Sequence, residues 1–397
     1  MKKGWQTKKL GDVCDFEGGS QPPKSEFIYD EKPGYVRFLQ IRDFGSDKNI
    51  TYIRHSKKNR LCTENDILIG RYGASVGKIL TDKAGAYNVA LMKTIPNLEV
   101  LDQSWFYHFL ISDEFQKPLL NVADRSAQAG FSKDDIYNFS VPVPPLAEQQ
   151  RIVGLLDEAF EGIATAKANA EKNLKNARAL FESHLQSVFT QRGPGWVEKP
   201  FEELIESNII GLTKNSREQG EDKAWPYVKM NNITRDNRFD FSRFTCVDAT
   251  AEEVSKFSLK DGDFLFNTRN SHELVGKSCI YESDSNDAVL YNNNIMRVRF
   301  QRGIDAGFVL LAFSSKGVAD ELNALKSGTT NVSAIYFKDL KSLVIPVPPI
   351  AEQKKIAAKL DALTEETQRL ARLYERKHAA LAALKKSLLH QAFTGEL

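Results

Sequence analysis

Apolar positions along this chain follow two rhythms that alternate twice. Over residues 1–145 and 193–345 they come in short runs, Tyr35–Ile41, Ile67–Gly70, Tyr227–Met230, Phe264–Phe266 and Ile295–Phe300, separated by Gly, Asn and Asp. Runs of that length between turn residues predict strands. Two further apolar runs, Trp105–Leu110 and Phe308–Phe313, read as helices. Strands and helices do not alternate regularly, so a doubly wound parallel sheet is disfavoured and an α+β class is expected for both domains.

The second rhythm occupies residues 146–192 and 346–397. Ile356, Leu360, Leu363, Thr367, Leu370, Tyr374, Lys377, Leu381, Leu384 and Leu388 keep the 4–3 spacing of a coiled-coil seam, blemished at Thr367 and Lys377. Ile152, Leu156, Ala159, Ile163, Ala166 and Ala170 repeat it, and the seam then drifts onto Leu174, Phe181, Leu185 and Val188. Pro144-Pro145 and Pro348-Pro349 sit at the first turns, where a missing N–H costs nothing. Gly193-Pro194-Gly195 stops the first helix and Gly395 the second. Each helix is about 40–45 residues, roughly 60–65 Å long. Two such stripes bury each other most economically as an antiparallel coiled coil with pseudo-two-fold symmetry. The alternative is that each merely covers its own domain, which needs less length than is present.

The alternation is a duplication. Residues 141–152 read VPVPPLAEQQRI and residues 345–356 read IPVPPIAEQKKI, identical at eight of twelve positions with an offset of 204. The same offset pairs Tyr87-Asn88 with Tyr291-Asn292, Leu91-Met92 with Ile295-Met296, and Phe189-Thr190 with Phe393-Thr394. Shorter offsets pair Val76-Gly77-Lys78 with Val275-Gly276-Lys277 and Trp5 with Trp196. Loop lengths inside the domains have diverged while the helix openings kept their frame.

Composition narrows the class without naming it. With 397 residues, 42% hydrophobic and 27% charged, the chain has the make-up of a two-domain globular protein. A net charge of +2 means any basic surface is local and offset elsewhere. Cys14, Cys62, Cys246 and Cys279 are scattered, which suits buried thiols in a reducing cytosol better than a disulfide frame or a zinc site. No apolar run has the length of a membrane span and no apolar core follows the charged N-terminus, so a cytoplasmic protein without membrane association is expected.

Catalytic signatures fail when tested. Val275-Gly276-Lys277-Ser278 resembles the end of a phosphate-binding loop, but the first glycine would fall at Ser271, and in the first half at Tyr72 with Ile79 replacing the hydroxyl residue. No G-x-G-x-x-G, H-E-x-x-H or G-x-S-x-G occurs, nor the Asn/Asp-Pro-Pro-Tyr/Phe run of amino-methyltransferases. Asp66, Asp82, Asp263 and Asp284 read as caps or solvated charges rather than metal ligands. A non-catalytic chain without cofactor or metal of its own is the expectation.

What remains is a binding surface of basic, amide and aromatic side chains in turn-rich stretches. The first domain offers Lys24, Arg37, Gln40, Arg42, Arg71, Tyr72 and Lys78, with Lys57, Lys58 and Arg60 nearby in sequence. The second offers Lys229, Asn231, Asn232, Arg235, Arg269, Asn270 and Lys277, with Lys214, Arg238, Asn292 and Asn293 beside them. Arg reads guanine edges, Asn and Gln read adenine, and Lys settles on phosphate. Arg71 and Arg269 stand out because both follow the duplicated strand and precede the Val-Gly-Lys turn, whose glycine lets backbone amides approach a phosphate.

The Pro-x-Pro-Pro-Leu/Ile-Ala-Glu-Gln opening of a long helix, present twice behind a variable domain, resembles the specificity subunits of type I restriction–modification enzymes. Asp66–Gly73, the Ser-Gly-Thr-Thr segment Ser327–Thr330 and the terminal Phe393–Leu397 support the resemblance, which covers essentially the whole chain. It implies two target recognition domains, each reading one half of a bipartite site in double-stranded DNA, and paired helices that set the spacer and dock two modification subunits. Those partners would bind S-adenosylmethionine and methylate adenine. Restriction subunits, where present, would add ATP- and Mg-dependent translocation and cleavage. On the chain's own pattern the recognition domains would be 1–145 and 193–345 and the helices 146–192 and 346–397. Service to an orphan or combined methyltransferase, or a coiled-coil scaffold that binds no DNA, stands as the alternative.

Overall fold

The computed structural model describes residues 4–124, 130–285, 287–329 and 331–397. Met1 to Lys3 of the charged N-terminus, and Thr330 of the Ser-Gly-Thr-Thr segment, lie outside the described residues. The chain forms two compact units: Met1–Glu171 together with Tyr374–Leu397, and Lys172–Leu373. The two long helices run unbroken over Leu146–Thr190 and Ile350–Thr394, so each unit takes a portion of both.

In the first unit an antiparallel sheet has the order Cys14–Gly18, Leu91–Pro96, Leu68–Gly70, Ile79–Leu80. A second sheet has the order Tyr52–Arg54, Tyr35–Leu39, Gly85–Tyr87, Leu61–Cys62, with a parallel pair Phe38↔Ala86 and Leu39↔Tyr87 at its centre. The second unit repeats the plan. One sheet has the order Ile205–Ile210, Ile295–Phe300, Asp263–Asn267, Ser278–Tyr281, and the other has Gln219–Gly220, Thr245–Val247, Trp225–Val228, Leu290–Tyr291. Its parallel pair is Tyr227↔Leu290 and Val228↔Tyr291. The class is α+β, as the irregular alternation of runs predicts.

Period-two patterning explains the layering. Every residue of Asp263–Asn267 is buried, because Phe264 and Phe266 enter the core shared with the helices while Leu265 enters a separate core on the other face. In the first unit Ile67 and Ile69 face the helices and Leu68 the opposite core. The strands Tyr35–Leu39 and Trp225–Val228 each end two residues before the apolar run does, because a single 3-10 turn follows each.

A two-stranded ribbon ties each domain to its outgoing helix: Gln6–Lys9 pairs with Ser140–Val143, and Val197–Pro200 pairs with Val344–Val347. Beneath the ribbon sits an aromatic trio. Trp105 lies 5.8 Å from Trp5 and 4.5 Å from Phe393, ring centre to ring centre. In the second unit Phe308 lies 5.9 Å from Trp196 and 5.5 Å from Phe189. The phenylalanine of the duplicated Phe-Thr at each helix end is therefore a core residue of the unit that the helix reaches, and the threonine beside it is exposed.

Within the first unit the opening of the first long helix, through Ile152 and Leu156, shares a core with Leu389, Ala392 and Phe393 from the end of the second. Within the second unit the pairing is reversed, with Leu185 and Phe189 against Ala357 and Leu360. Opposite ends of the helices thus meet in each unit, as an antiparallel pair requires. The seam departs from the sequence reading near the end: Leu384 is exposed, and the stripe passes instead through Lys385, whose ammonium sits 4.5 Å from the Phe160 ring centre. A helix of 3.6 residues per turn drifts off a strict seven-residue spacing, which accounts for the shift.

Candidate nucleic-acid interface

The candidate contact residues sit on two features repeated in both units. The first is the 3-10 turn that leaves the central strand of the mixed sheet. Gln40 precedes the turn Ile41–Phe44, and Lys229 precedes the turn Met230–Asn232. The Gln40 amide donates to Asp43 Oδ2 at 2.6 Å, and the Lys229 amide donates to Asn232 Oδ1 at 2.9 Å. Asp43 and Asn232 are both 1% exposed. Arg42 and Asn231 hold the same place, one residue before the buried side chain, and both are exposed.

The sheets hold this turn identically. The amide of Asn88 donates to Leu39 O at 3.0 Å and that of Asn292 to Val228 O at 2.9 Å. Gly19 and Gly211 pass so close to the same segments that a Cβ would lie 2.0 Å from Asn88 O and 2.3 Å from Tyr291 O. Glycine is required there by backbone crowding.

The second feature is the Val-Gly-Lys turn, with Gly77 at φ 78° and Gly276 at φ 91°. The amides of Gly70 and Asn267 donate to Lys78 O and Lys277 O, both at 2.8 Å, and those of Arg71 and Thr268 donate to Ala90 O and Asn294 O. The backbone therefore matches Arg71 with Thr268 and Tyr72 with Arg269. Arg269 pairs with Ala334 where Tyr72 bridges Gly130. Arg71 and Arg269 occupy neighbouring rather than identical places, because the second turn is longer by two residues.

In the first unit Lys24 and Lys78 are exposed on short turns. Arg37 is committed to Asp47, which Lys83 also holds at 2.8 Å; Lys83 and then Arg37 keep that carboxyl below its usual range. Arg42 reaches Thr51 Oγ1 at 3.4 Å. Arg71 donates to Phe131 O at 3.3 Å while its guanidinium lies 5.0 Å from the Tyr72 ring centre. Arg60 pairs with Glu17 at 2.8 Å.

The second unit gathers its residues more tightly. Lys229, Asn231, Arg235, Asn270 and Lys277 line one cleft with Met230, Ile233, Thr234 and Leu274. Asn232 and Lys277 are turned inward, onto backbone carbonyls of the fold. Asn232 donates to Asp240 O at 2.9 Å and Arg243 O at 2.6 Å, holding the next loop. Lys277 donates to Met230 O at 3.0 Å and also to Ile233 O, and burial lowers its pKa. Asn270 donates to Asn267 Oδ1 at 2.9 Å, and Arg235 pairs with Glu273 at 2.9 Å on the surface. Lys229, Asn231 and Arg269 make no side-chain hydrogen bond to the described residues.

Three of the four acids weighed as metal ligands have structural partners, Asp82 taking the Thr81 hydroxyl at 2.6 Å. Asp66 accepts the Thr63 amide and Asp263 the Lys260 amide, both at 2.7 Å, and Asp263 also takes Arg299 through two bonds of 2.6 and 3.0 Å. Among the described residues no three His, Cys, Asp or Glu side chains converge as a metal site would need, and no helix is long and apolar enough to cross a membrane. The four cysteines are free thiols, buried at Cys14, Cys62 and Cys279 but only half-buried at Cys246, against the expectation of four buried thiols.

Two domains on one hydrogen-bonded plan, each carrying basic and amide side chains on a matched pair of turns and each joined to both long helices, define a tandem recognition protein. The type I restriction modification DNA specificity domain matches residues 2–176 and 194–375, and the chain belongs to that family. The EcoKI specificity subunit of Escherichia coli K12 is 25% identical over 425 residues, spanning 100% of this chain and 90% of the relative. The MjaVIII specificity subunit of Methanocaldococcus jannaschii is 21% identical, spanning 100% and 94%. A chain solved in work on assembly and conformational transition of the type I R-M system superposes with a TM-score of 0.79 at 21% identity, covering 100% of this chain and 99% of its own. The HsdS subunit of Thermoanaerobacter tengcongensis gives 0.63 at 21% identity, covering 100% and 98%.

Proposed function

We propose that this chain is the sequence-specific DNA-binding specificity subunit of a type I restriction–modification complex, each domain reading one half of a bipartite site in double-stranded DNA. The observation that carries this reading is the repeated turn. The backbone path and the buried acceptor that pins it recur in both units, as Asp43 and Asn232, while the side chains around them differ completely, half-buried Gln40 and exposed Arg42 against half-buried Lys229 and exposed Asn231. A shared frame with exchanged surface residues is what two readers of unlike half-sites require.

The chemistry falls to partners. Two modification subunits supply S-adenosylmethionine and methylate an adenine flipped from the duplex, and restriction subunits supply ATP- and Mg-dependent cleavage. This chain contributes no cofactor and acts with them on DNA in the cytoplasm. The long helices link two weak half-site affinities into one strong bipartite affinity by raising effective concentration. They also supply surface for docking the modification subunits.

Co-expression with its modification subunits, followed by genome-wide mapping of methylated adenine, tests the reading. A two-part motif with a fixed gap is expected, and replacing residues 1–145 by another family member's domain is expected to change one half only. No gapped motif, or a change in both halves, overturns it.

A further inference from the structure

The repeated turn singles out one position per domain, an inference that rests on the DNA reading above. Each turn is closed from beneath by a buried Asp43 or Asn232 that accepts the amide of Gln40 or Lys229. The backbone of the residue just before that pin is thereby held on a rigid support, which fixes the direction in which its side chain leaves the turn. At that place the first unit has Arg42, its side chain 53% exposed and in only long contacts with Asp43 at 3.9 Å and Thr51 at 3.4 Å. The second unit has Asn231, exposed on the rim of a cleft that also holds Lys229 and Arg235.

We propose that Arg42 and Asn231 are equivalent specificity-determining residues. Arg42 reads a guanine of the first half-site, and Asn231 reads an adenine of the second. The guanidinium fork matches the O6 and N7 acceptors of guanine, and the carboxamide matches the N6 donor and N7 acceptor of adenine. The adenine read is one that stays stacked, since the methylated base leaves the helix. Asp43 and Asn232 are positioning residues: they set the direction of the reader without touching the base.

Methylation mapping of the whole complex with Arg42→Asn, Arg42→Lys, Asp43→Ala and Asp43→Asn tests this. Arg42→Asn is expected to relax one guanine of the first half-site, with discrimination there falling about ten-fold, while the second half-site stays unchanged. Arg42→Lys keeps the charge but not the fork and relaxes the same position. Asp43→Ala broadens that position too, and Asp43→Asn, which keeps the acceptor, restores it. Unchanged guanine preference in Arg42→Asn, altered preference in both halves, or loss of all methylation in both Arg42 variants overturns the proposal. A wild-type complex with no gapped motif defeats the DNA reading itself, whereas a gapped motif indifferent to Arg42 defeats only this assignment.

Discussion

Gln149 accepts the backbone amide of Asp102 at 2.7 Å, and its Nε2 donates to Val100 O and Pro144 O, both at 2.8 Å. Asp102 in turn caps the helix Gln103–Ile111 by accepting the Trp105 amide. One buried carboxamide thus locks the first turn of a long helix to the cap of another. Gln353 does the same for Asp305, Gly303 and Pro348. This explains the Gln of the repeated Ala-Glu-Gln: no other side chain of that length both donates and accepts while staying uncharged. Gln149→Ala strands three backbone groups in the interior and is expected to cost about 2–4 kcal/mol. The check is urea unfolding, with a lower midpoint at unchanged slope; an unmoved midpoint refutes it.

His108 gives the first unit a pH dependence. Its buried ring places Nε2 2.9 Å from Asp157 Oδ1. Burial lowers its pKa below the ordinary 6.5, and Asp157 opposes this only in part. A proton that the unfolded chain takes up near the ordinary value is refused by the folded ring, so stability is lost as pH falls through that value. His108→Leu copies Leu311, the residue at the matching place in the second unit, and is expected to shrink the loss of unfolding midpoint between about pH 7.5 and about pH 5.5. An undiminished difference would assign the effect elsewhere.

Gly19 and Gly211 are expected to tolerate no side chain, since the atoms a Cβ would meet are backbone oxygens. Either glycine changed to alanine should destabilise its unit by about 2–3 kcal/mol through forced backbone shifts. Gly34→Ala, where a Cβ meets nothing although φ is 81°, should cost less. Thermal unfolding of the three variants orders them, and equal losses count against crowding as the cause.

Phe393 belongs to the core of the first unit, 4.5 Å from Trp105 and 5.6 Å from Phe109 between ring centres. Phe393→Ala should cost that unit about 3–5 kcal/mol. Hydrogen exchange localises the loss: protection should fall in Gln103–Ile111, and unchanged protection there contradicts the packing.

The helix openings were legible in sequence because their determinants lie within a dozen residues: two prolines, a run of seam positions and a glutamine at a fixed distance. The strands were legible for the same reason, though not their ends at Leu39 and Val228, where buried side chains further along set the turn. The matched turns were invisible. Gln40-Ile41-Arg42-Asp43 and Lys229-Met230-Asn231-Asn232 share no residue, and their kinship lies in one hydrogen bond that Asp and Asn can both accept. The match of Tyr72 with Arg269 was hidden likewise, because the Val-Gly-Lys landmark lies beyond a turn of different length. The inward commitment of Asn232 and Lys277 follows from partners 8 to 47 residues away, which no local spacing encodes.

The place of Phe393 in the first core sets an order of events during synthesis. A ribosome delivers Trp5 and Trp105 long before it delivers the residue that closes over them. The first domain to emerge therefore waits, with its aromatic floor uncovered, until the second domain and the second long helix have been made, while Phe189 is already in place when the second domain's floor forms. The half made first is the half finished last.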